Sequence, residues 1–494
     1  MKKVISIFLA LVIAVSSAGV CAYAQADSCS CGEDPIVFVE GIGNATIYKD
    51  VTAQEPETIF SQASDVLSYV TPVNVAKLLF ALIFRNQQAM MDVIADVGTA
   101  ILGGTGCDAD GNFPENSGVI FEYPEVTQHG RSRMFKFRYD WRRSPIELAA
   151  ELDKFIDYIR EETGHSKVNL IGFSLGSAIT LAYLSEYGHS KISGVVIYSG
   201  ALNGVRCCGE PFCMRMSYDG PEGLVNYIDG MARNDALTTL LVVLAKLGVV
   251  DWLGSFVADL CNERGSEAYP LLHGTFVTSP ALWALVPVEY HMEARKAFFA
   301  GVEDEYAGLI ADIDAYYQIQ LRAEEIIDGI IEDGVRFGII SKYGYYTFPL
   351  IESNTVMADC VVDTEYSSFG ATCAPVGGEL TKEQAEITAE CGHNHVSPDS
   401  MINAATCAYP EYTWFIKNNL HSDNCDETDE IIFLIFYSDE QPTVWTNEKY
   451  PQFSLYVEDD DTIVPLTKEN APAFESAIPE TFFDRVIDSV KSVF

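Results

Sequence analysis

The architecture of this chain is set by the stretch Lys167-Val168-Asn169-Leu170-Ile171-Gly172-Phe173-Ser174-Leu175-Gly176-Ser177-Ala178. An apolar, β-branched segment leads directly into Gly-x-Ser-x-Gly, and an Ala/Leu-rich helical pattern follows. This context is typical of a nucleophile elbow, a strained strand-to-helix turn where flanking glycines avoid steric clashes. The sequence therefore predicts a nucleophilic Ser174. It also predicts that the backbone N–H of Leu175, at a helix N-terminus, faces a developing oxyanion.

Strand and helix patterns alternate on both sides of this turn. Residues 36–39 and 135–139 have the composition of buried strands, and 194–198 form a further one after the elbow helix. Helical periodicity covers much of residues 60–105 and all of 145–161. Alternation of this kind predicts an α/β fold with a mostly parallel sheet flanked by helices.

The alternation stops near residue 205, and helical patterns dominate up to about residue 340. An insertion of this length between sheet elements indicates a cap domain. Sheet signals resume at 345–351 and 413–417, and β-like segments at 431–437 and 453–457 precede a final helix. The predicted organisation is therefore a divided core with an inserted helical cap, bounded as follows: signal peptide 1–26, core 27–204 and 341–425, cap 205–340, C-terminal extension 426–494.

A serine nucleophile requires a general base and an acid that orients that base. In a strand–elbow–helix architecture the acid precedes the histidine in the chain. His421 follows the strand-like run 413–417, at the sheet edge where a base is expected. His393 and His395 are rival bases, although no strand pattern immediately precedes them.

Three aspartates compete for the role of the acid. Asp359 lies in the loop that follows the predicted strand 345–351. Asp399 lies closer to His421 along the chain but has no clear strand before it. Asp461 has the setting of a hydrolase acid loop, but no histidine follows it. We favour Asp359, and the two others remain alternatives.

The N-terminus has the features of a secretory signal. Lys2 and Lys3 precede the apolar residues 4–20, and Ala22-Tyr23-Ala24 or Ala24-Gln25-Ala26 provides a small-residue cleavage site. We therefore expect a secreted or extracytoplasmic protein. The net charge of −40 over 494 residues repels nucleic acid and anionic lipid, so neither is an expected partner.

The cysteine count supports the same compartment. Removal of a signal peptide that includes Cys21 leaves twelve of the thirteen cysteines, an even number that suggests disulfides in an exported chain. Metal binding is the alternative for three cysteine-containing runs, 29–31, 207–208 and 391–395. Their spacings match no zinc template well, so we expect neither a metal site nor a cofactor.

The segments 137–142 (Phe-Arg-Tyr-Asp-Trp-Arg) and 172–176 (Gly-Phe-Ser-Leu-Gly) together resemble the lecithin:cholesterol acyltransferase and lysosomal phospholipase family of α/β-hydrolases. Residues 41–44 are similar to the first oxyanion loop of that family, 279–287 to a segment of its cap, and 359–362, more loosely, to its acid loop. The resemblance extends over roughly residues 35–425.

Three positions depart from the family pattern. Phe173 stands where histidine is usual, Glu40 where proline is usual, and Ala358 where a glycine usually precedes the acid. These departures concern the subfamily and the acceptor specificity more than the fold.

The resemblance implies acyl transfer from an ester to Ser174, with His421 as base and then acid, and with Asp359 fixing the imidazole tautomer. The backbone N–H groups of Ile42 and Leu175 are expected to hold the oxyanion. Residues expected to contact the substrate are Gly41, Gly43, Phe173, Asp140 and Trp141. A purely structural ion pair between Asp140 and Arg142 would explain the segment Asp140-Trp141-Arg142 equally well.

The expected substrate is a carboxylic ester, with lipids favoured. Apolar cap stretches at 240–247 and 281–286 would bind acyl chains or a neutral lipid interface, although ordinary helix packing explains them equally well. Phospholipid, neutral glyceride, short-chain ester and thioester substrates all remain open, as does the oligomeric state. A non-catalytic extracellular binding module on the same scaffold is the alternative from a different functional class.

Overall fold

The computed structural model describes residues 32–60, 72–102, 104–233, 235–272 and 277–478. The predicted signal peptide (1–26), the cysteines of the run 29–31 and the predicted final helix lie outside the described residues.

An eight-stranded sheet forms the centre of the molecule. In chain order its strands are β1 (Ile36–Val39), β2 (Met134–Phe137), β3 (Val168–Phe173), β4 (Ile192–Tyr198), β5 (Arg336–Tyr343), β6 (Thr413–Lys417), β7 (Phe453–Val457) and β8 (Thr462–Pro465). They are arranged as β8-β7-β6-β5-β4-β3-β1-β2. Every neighbouring pair is parallel except β7–β8. The predicted mostly parallel sheet is therefore confirmed, with the elbow strand β3 near its middle.

Fifteen α-helices accompany the sheet in the described residues. They are α1 (Pro72–Ile83), α2 (Gln87–Leu102), α3 (Pro145–Thr163), α4 (Leu175–Tyr187), α5 (Arg206–Phe212), α6 (Pro221–Ala232), α7 (Asp235–Lys246), α8 (Val249–Leu272), α9 (Pro280–Ala284), α10 (Val288–Phe299), α11 (Ala307–Gln320), α12 (Ala323–Glu332), α13 (Thr364–Ser367), α14 (Lys382–Ala385) and α15 (Asp426–Tyr437).

Alternate residues of the buried strands face opposite layers, because side chains on a strand point to the two faces in turn. Leu170 of β3 packs in one cluster with helices α3, α4 and α9–α12. Its neighbour Ile171 packs in a second cluster with α15. Both faces of the sheet are thus covered by helices, which explains why its strands read as continuous apolar runs.

Helix α3 illustrates how local sequence sets an element. Ser144 is its N-cap and accepts a hydrogen bond from the N–H of Ile146 at 3.3 Å, Pro145 is its first residue, and Gly164 follows its end in the left-handed conformation. These are ordinary signals for the start and end of a helix. Its buried face carries the predicted apolar residues Leu148, Leu152, Phe155, Ile156 and Ile159.

The residues predicted as one cap, 205–340, fall into two groups. Helices α9–α12 contribute to the same hydrophobic cluster as the sheet and helices α3 and α4, so this part belongs to the core. Helices α6 and α7 and the start of α8 form a separate cluster that includes Cys360 and Leu420, the chain neighbours of Asp359 and His421. Helices α6–α8 therefore cover the loops that carry the predicted acid and base.

Two predicted strands are wrong. The sheet strand runs from Arg336 to Tyr343, ahead of the predicted 345–351, where only Tyr345–Tyr346 forms a two-residue strand against Met357–Ala358. Residues 431–437 belong to helix α15, whose Ile431, Ile432, Ile435 and Phe436 are buried. Their β-branched and aromatic composition favours a strand locally, but packing against the sheet selects the helix.

The predicted C-terminal extension, 426–494, is not separate from the core over its described part. Helix α15 covers one face of the sheet, and β7 and β8 add two strands to its edge. Two further two-stranded pairs lie outside the sheet, Ile47–Tyr48 with Thr58–Phe60 and Thr372–Cys373 with Ile402–Asn403.

Within the described ranges, no single helix has the length and apolar composition needed to cross a membrane. The helical segments Leu237–Lys246 and Val249–Arg264 pass this test only when they are taken together, and the helix axis bends by 84° between them.

Candidate active site

Ser174 occupies the sharp turn between β3 and α4. Its backbone angles, φ +53° and ψ −125°, lie in a region that residues other than glycine rarely adopt. The two glycines of the motif are required by close approach. A Cβ on Gly176 would lie 2.0 Å from the carbonyl oxygen of Val39, and one on Gly172 would lie 2.8 Å from the Cα of Ser177. Strain at this turn is therefore held in place by tight packing of α4 against β1 and β3.

The loop after β1 passes directly beside this serine. A Cβ on Gly41 would lie 2.9 Å from the Cβ and 3.3 Å from the Oγ of Ser174, so only glycine fits there. Asn44 braces the loop, since its amide donates to the carbonyl of Gly41 at 2.9 Å and accepts from the N–H of Tyr139 at 2.9 Å. The predicted oxyanion residue Ile42 thus lies in a braced loop next to Ser174. Helix α4 begins at Leu175, whose N–H has no intrahelical acceptor by geometry.

Asp359 and His421 meet although 62 residues separate them in the chain. The Nδ1 atom of His421 lies 2.8 Å from Oδ2 of Asp359, and both side chains are almost completely buried. Oδ1 of Asp359 accepts hydrogen bonds from the N–H groups of Val361 (3.0 Å) and Val362 (2.7 Å). The N–H of His421 also donates to the carbonyl of Asp359 at 3.0 Å. The carboxylate is thus oriented by its own loop and held against the imidazole.

The imidazole of His421 lies next to the elbow. Its ring is 4.9 Å from the ring of Phe173, centroid to centroid, and Phe173 directly precedes Ser174. Phe173, predicted to contact the substrate, therefore packs against the base and is itself buried. The structure brings the three predicted catalytic residues to the carboxyl edge of β3, β5 and β6.

The rival acids and bases have other partners. Nδ1 of His395 lies 2.9 Å from Oε1 of Gln452, and Nδ1 of His393 lies 3.8 Å from a carboxylate oxygen of Glu411. Asp399 pairs with Lys417 at 2.9 Å and accepts from Ser397 at 2.6 Å. Asp461 accepts from the hydroxyl of Tyr456 at 2.9 Å. Among the described carboxylates, Asp359 is the one that is hydrogen-bonded to His421.

Sequence reasoning missed Lys342, a buried lysine on β5. Its Nζ donates to the carbonyls of Leu420 (2.9 Å), His421 (3.0 Å) and Asp423 (2.5 Å). An ammonium group has three donors, and all three are directed at the loop that carries the base. The signal available in the sequence was a lysine inside an apolar strand-like run, Phe337-Gly338-Ile339-Ile340-Ser341-Lys342-Tyr343.

Burial lowers the pKa of Lys342 from 10.5 to about 7, while the nearby Asp359 and Asp423 act in the opposite direction. The Nζ atom also lies 4.6 Å from the ring centroid of Tyr198, a cation–π arrangement that favours the charged form. The hydroxyl of Tyr198 donates to the carbonyl of Asp423 at 2.9 Å. Lys342 and Tyr198 together anchor residues 420–423 to the sheet.

Asp140 and Trp141, predicted to line the substrate site, have structural partners. Arg142 donates to both carboxylate oxygens of Asp140, from Nε at 2.7 Å and from Nη2 at 2.6 Å, and is completely buried. Trp141 packs edge-on against Phe60 at 5.1 Å, within the hydrophobic core. These contacts support the structural interpretation of the Asp-Trp-Arg run.

The apolar cap stretches differ in exposure. Residues 281–286 are all buried and cannot contact a lipid surface in this conformation. In the stretch 240–247, Leu240 and Leu247 are exposed, whereas Leu241 and Val242 are buried.

The ten described cysteines form no disulfide with one another, so the disulfide prediction finds no support in this part of the chain. Several thiols are packed inside the protein instead. Burial raises the pKa of Cys107 and of Cys407 to about 12 and makes both poor nucleophiles. Cys391 differs from these, because it lies in a group with His393 and Glu411 that has the composition of a metal site.

Comparison with known proteins agrees with this architecture. Residues 132–212, which include β2, β3, the elbow and β4, match the family model for the alpha/beta hydrolase fold. No curated protein and no solved structure matched the chain. With its eight-stranded, mostly parallel sheet, the chain has the predicted α/β-hydrolase fold, and proteins of this fold are usually hydrolytic enzymes.

Proposed function

We propose that this protein is a serine hydrolase that cleaves or transfers the acyl group of carboxylic esters. The observation that carries the proposal is the buried 2.8 Å hydrogen bond between Asp359 and His421, beside the strained turn at Ser174. A nucleophile, a base and an orienting carboxylate in one site are the requirement for acyl-enzyme chemistry. Fold alone would support only a general hydrolytic activity.

In this mechanism Nδ1–H of His421 is donated to Asp359, which leaves Nε2 free to accept a proton. Ser174 Oγ attacks the ester carbonyl carbon, and its proton passes to Nε2. The N–H groups of Leu175 and Ile42 stabilise the oxyanion of the tetrahedral intermediate. Collapse of that intermediate breaks the bond to the alcohol, which leaves with the proton from His421.

The acyl-enzyme is then resolved by a second nucleophile. His421 removes a proton from water or from an acceptor alcohol, which attacks the acyl carbon and releases Ser174. Water gives hydrolysis, and an alcohol gives transfer. The proposal includes both outcomes, consistent with the resemblance to acyltransferases and phospholipases noted above.

Lipid esters are the proposed substrate class, because apolar side chains are exposed on the helices that accompany the cap. Ile83, Phe84 and Leu247 are each about two-thirds exposed. Helix α1 packs with α2, which in turn contacts α8, and Arg85 lies over the ring of Phe256 on α8. A net charge of −40 opposes adsorption to anionic lipid, so a neutral or zwitterionic interface is proposed. We also propose that the protein acts outside the cytoplasm, as its N-terminal sequence suggests.

A fluorophosphonate probe tests the proposal directly. The folded protein should be labelled at Ser174, and Ser174→Ala should not be labelled. Ser185→Ala, on the far end of the same helix α4, is the matched control and should react like the wild type. Folded wild-type protein that resists the probe would support the non-catalytic binding module instead.

Activity measurements would then define the substrate. Esters and thioesters of increasing acyl length, with and without an alcohol acceptor, separate a lipase from a short-chain esterase, a thioesterase or a transferase.

A further inference from the structure

A second cluster of reactive side chains lies away from Ser174, between residues 391–395 and the start of β6. Ligand atoms of Cys391, His393 and Glu411 all lie within 4.8 Å of one another. His395 adjoins the same cluster, since its Nε2 lies 3.0 Å from Sγ of Cys391. The thiol of Cys391 therefore links the imidazole of His395 to the group formed with His393 and Glu411.

The hydrogen bonds around His395 determine which of its nitrogens faces the cluster. Gln452 donates from Nε2 to the carbonyls of Pro410 (2.7 Å) and Thr413 (3.2 Å). Its Oε1 is therefore an acceptor, and it lies 2.9 Å from Nδ1 of His395. His395 must donate from Nδ1, which leaves the lone pair of Nε2 directed at Cys391.

This arrangement is the one found around histidines that bind metals. Such a histidine donates its second ring N–H to a fixed acceptor, which sets the tautomer and the ring orientation. His395 is almost completely buried, and the exposed Trp445 packs against the rings of both His393 (4.9 Å) and His395 (5.7 Å). The cluster thus has a fixed inner ligand and an aromatic wall.

We propose that Cys391, His393, His395 and Glu411 bind one Zn²⁺ ion. Zinc is bound in proteins by cysteine sulfur, histidine nitrogen and carboxylate oxygen, and four ligands in a tetrahedron are its usual coordination in structural sites. Bond lengths of about 2.0–2.3 Å to the metal place tetrahedral ligand atoms about 3.3–3.8 Å apart. Cys391 lies 3.0 Å from His395, and His393 lies 3.8 Å from Glu411, so each of these pairs is near the required spacing. His395 lies outside the group of ligand atoms within 4.8 Å of one another, so the exposed His393 and the half-buried Glu411 must move toward it to complete the set.

Charge supports the same ion. A thiolate and a carboxylate carry two negative charges, and the two neutral imidazoles add none, so a divalent cation makes the site neutral. Zinc would join the loop 391–395 to Glu411, which lies two residues before β6. The hydrogen bond from His395 would extend this link to Gln452, the residue before β7. The ion would therefore stabilise the part of the sheet from which the His421 loop extends, without contacting the reacting atoms.

The test uses the full chain, stripped of metal with a chelator and titrated with Zn²⁺ and, separately, with Co²⁺. We expect one ion per chain by elemental analysis and a rise in Tm on zinc addition. Co²⁺ should give a near-ultraviolet thiolate-to-metal charge-transfer band together with the visible absorption of tetrahedral cobalt. Zinc should also change the tryptophan fluorescence, and a Trp445→Phe variant shows which part of that change comes from Trp445. Bound zinc should protect Cys391 from alkylation. These wild-type measurements hold even if a variant fails to fold.

Variants identify the ligands. Cys391→Ser should abolish the charge-transfer band, and Glu411→Gln should weaken zinc binding at least tenfold. Cys261→Ser, which alters a thiol on α8 outside the cluster, is the matched control and should bind zinc like the wild type. A folded wild-type chain that binds no stoichiometric zinc would overturn the proposal, as would binding that Cys391→Ser and Glu411→Gln leave unchanged. Because neither result depends on Ser174, this proposal and the proposed hydrolase activity fail independently.

Discussion

Replacing Lys342 with methionine should slow turnover without lowering the free energy of unfolding. Methionine has a similar length and fills the same buried space on β5, but it cannot donate to the carbonyls of Leu420, His421 and Asp423. The loop that carries the base then loses three hydrogen bonds to the sheet and keeps the one from Tyr198. The imidazole of His421 is free to shift relative to Ser174, while the hydrophobic core around it remains packed.

The expected size of each effect follows from the structure. Of the three carbonyls, that of Leu420 still accepts from the N–H of Asp423 at 3.0 Å, and that of Asp423 still accepts from the hydroxyl of Tyr198 at 2.9 Å. The carbonyl of His421 loses the donor that Lys342 provides, and an unpaired buried carbonyl costs about 1–3 kcal/mol. Burial has the opposite effect, because it lowers the pKa of Lys342 from 10.5 to about 7. This shift means that burying the charged ammonium costs about 5 kcal/mol, and methionine removes that cost. The free energy of unfolding should therefore rise by about 2–4 kcal/mol. A displacement of about 1 Å at the base costs about 100-fold in rate, and we expect a fall in kcat of that order with little change in KM.

Lys417→Met is the matched control, because Lys417 is also a buried lysine on a neighbouring strand. Its Nζ pairs with Asp399 at 2.9 Å, and both side chains are almost fully buried. Its loss leaves a buried carboxylate without its counter-charge and should cost about 3–5 kcal/mol of stability, with turnover per folded molecule largely retained. Urea unfolding and steady-state hydrolysis of a soluble ester would be measured for both variants. Near-normal kcat in Lys342→Met, or the same loss of activity in both variants, would refute the proposed role of Lys342.

The other predictions concern the triad, pH and the lipid interface. Ser174→Ala should lower kcat by several orders of magnitude and leave urea unfolding nearly unchanged; residual activity within tenfold of wild type would exclude Ser174 as the nucleophile. Asp359→Asn should lower kcat about 10⁴-fold, whereas Asp399→Asn should retain turnover per folded molecule; the reverse result would move the acid to Asp399. Between pH 7 and 10.5 the unfolded chain keeps the proton on Lys342 that the folded chain has lost. The unfolding free energy should therefore rise with pH in that window by up to about 1.4 kcal/mol per pH unit relative to Lys342→Met, and parallel pH profiles of the two proteins would contradict this. Hydrolysis of long-chain neutral esters should accelerate when the substrate aggregates, because an interface removes the cost of exposing apolar helix surface, about 25 cal/mol per Å². A rate that rises smoothly through the critical micelle concentration, with no difference between neutral and anionic substrates, would contradict the lipid assignment.

Local signals in the sequence were sufficient for the elbow. The strand before Ser174, the helix after it and the glycines on either side are all determined within about twenty residues, because periodicity and steric limits act over that range. Chain order then pointed to Asp359 and His421, since the architecture places the acid and the base after successive strands. The mostly parallel sheet followed from the same alternation of strand and helix.

Signals of the same local kind misassigned two later elements. Residues 431–437 are β-branched and aromatic, yet they form part of α15, because burial of one helical face against the sheet outweighs local propensity. Strand β5 ends at Tyr343, before the predicted segment begins. Lys342 interrupts the apolar run of this strand, so the sequence pattern did not identify it. The strands β7 and β8 belong to the central sheet only through pairing with β6.

Tertiary structure decided among the alternatives that the sequence left open. Asp359 rather than Asp399 meets His421, because each carboxylate takes the partner that the sheet brings within about 3 Å. Lys342 gains its role from carbonyls about 80 residues away, and the cluster around Cys391 gains Glu411 and Gln452 in the same way. Hydrogen bonds and metal coordination act over a few ångströms in space regardless of separation along the chain. Sequence patterns therefore identify the candidates, and only the folded chain shows which of them are in contact.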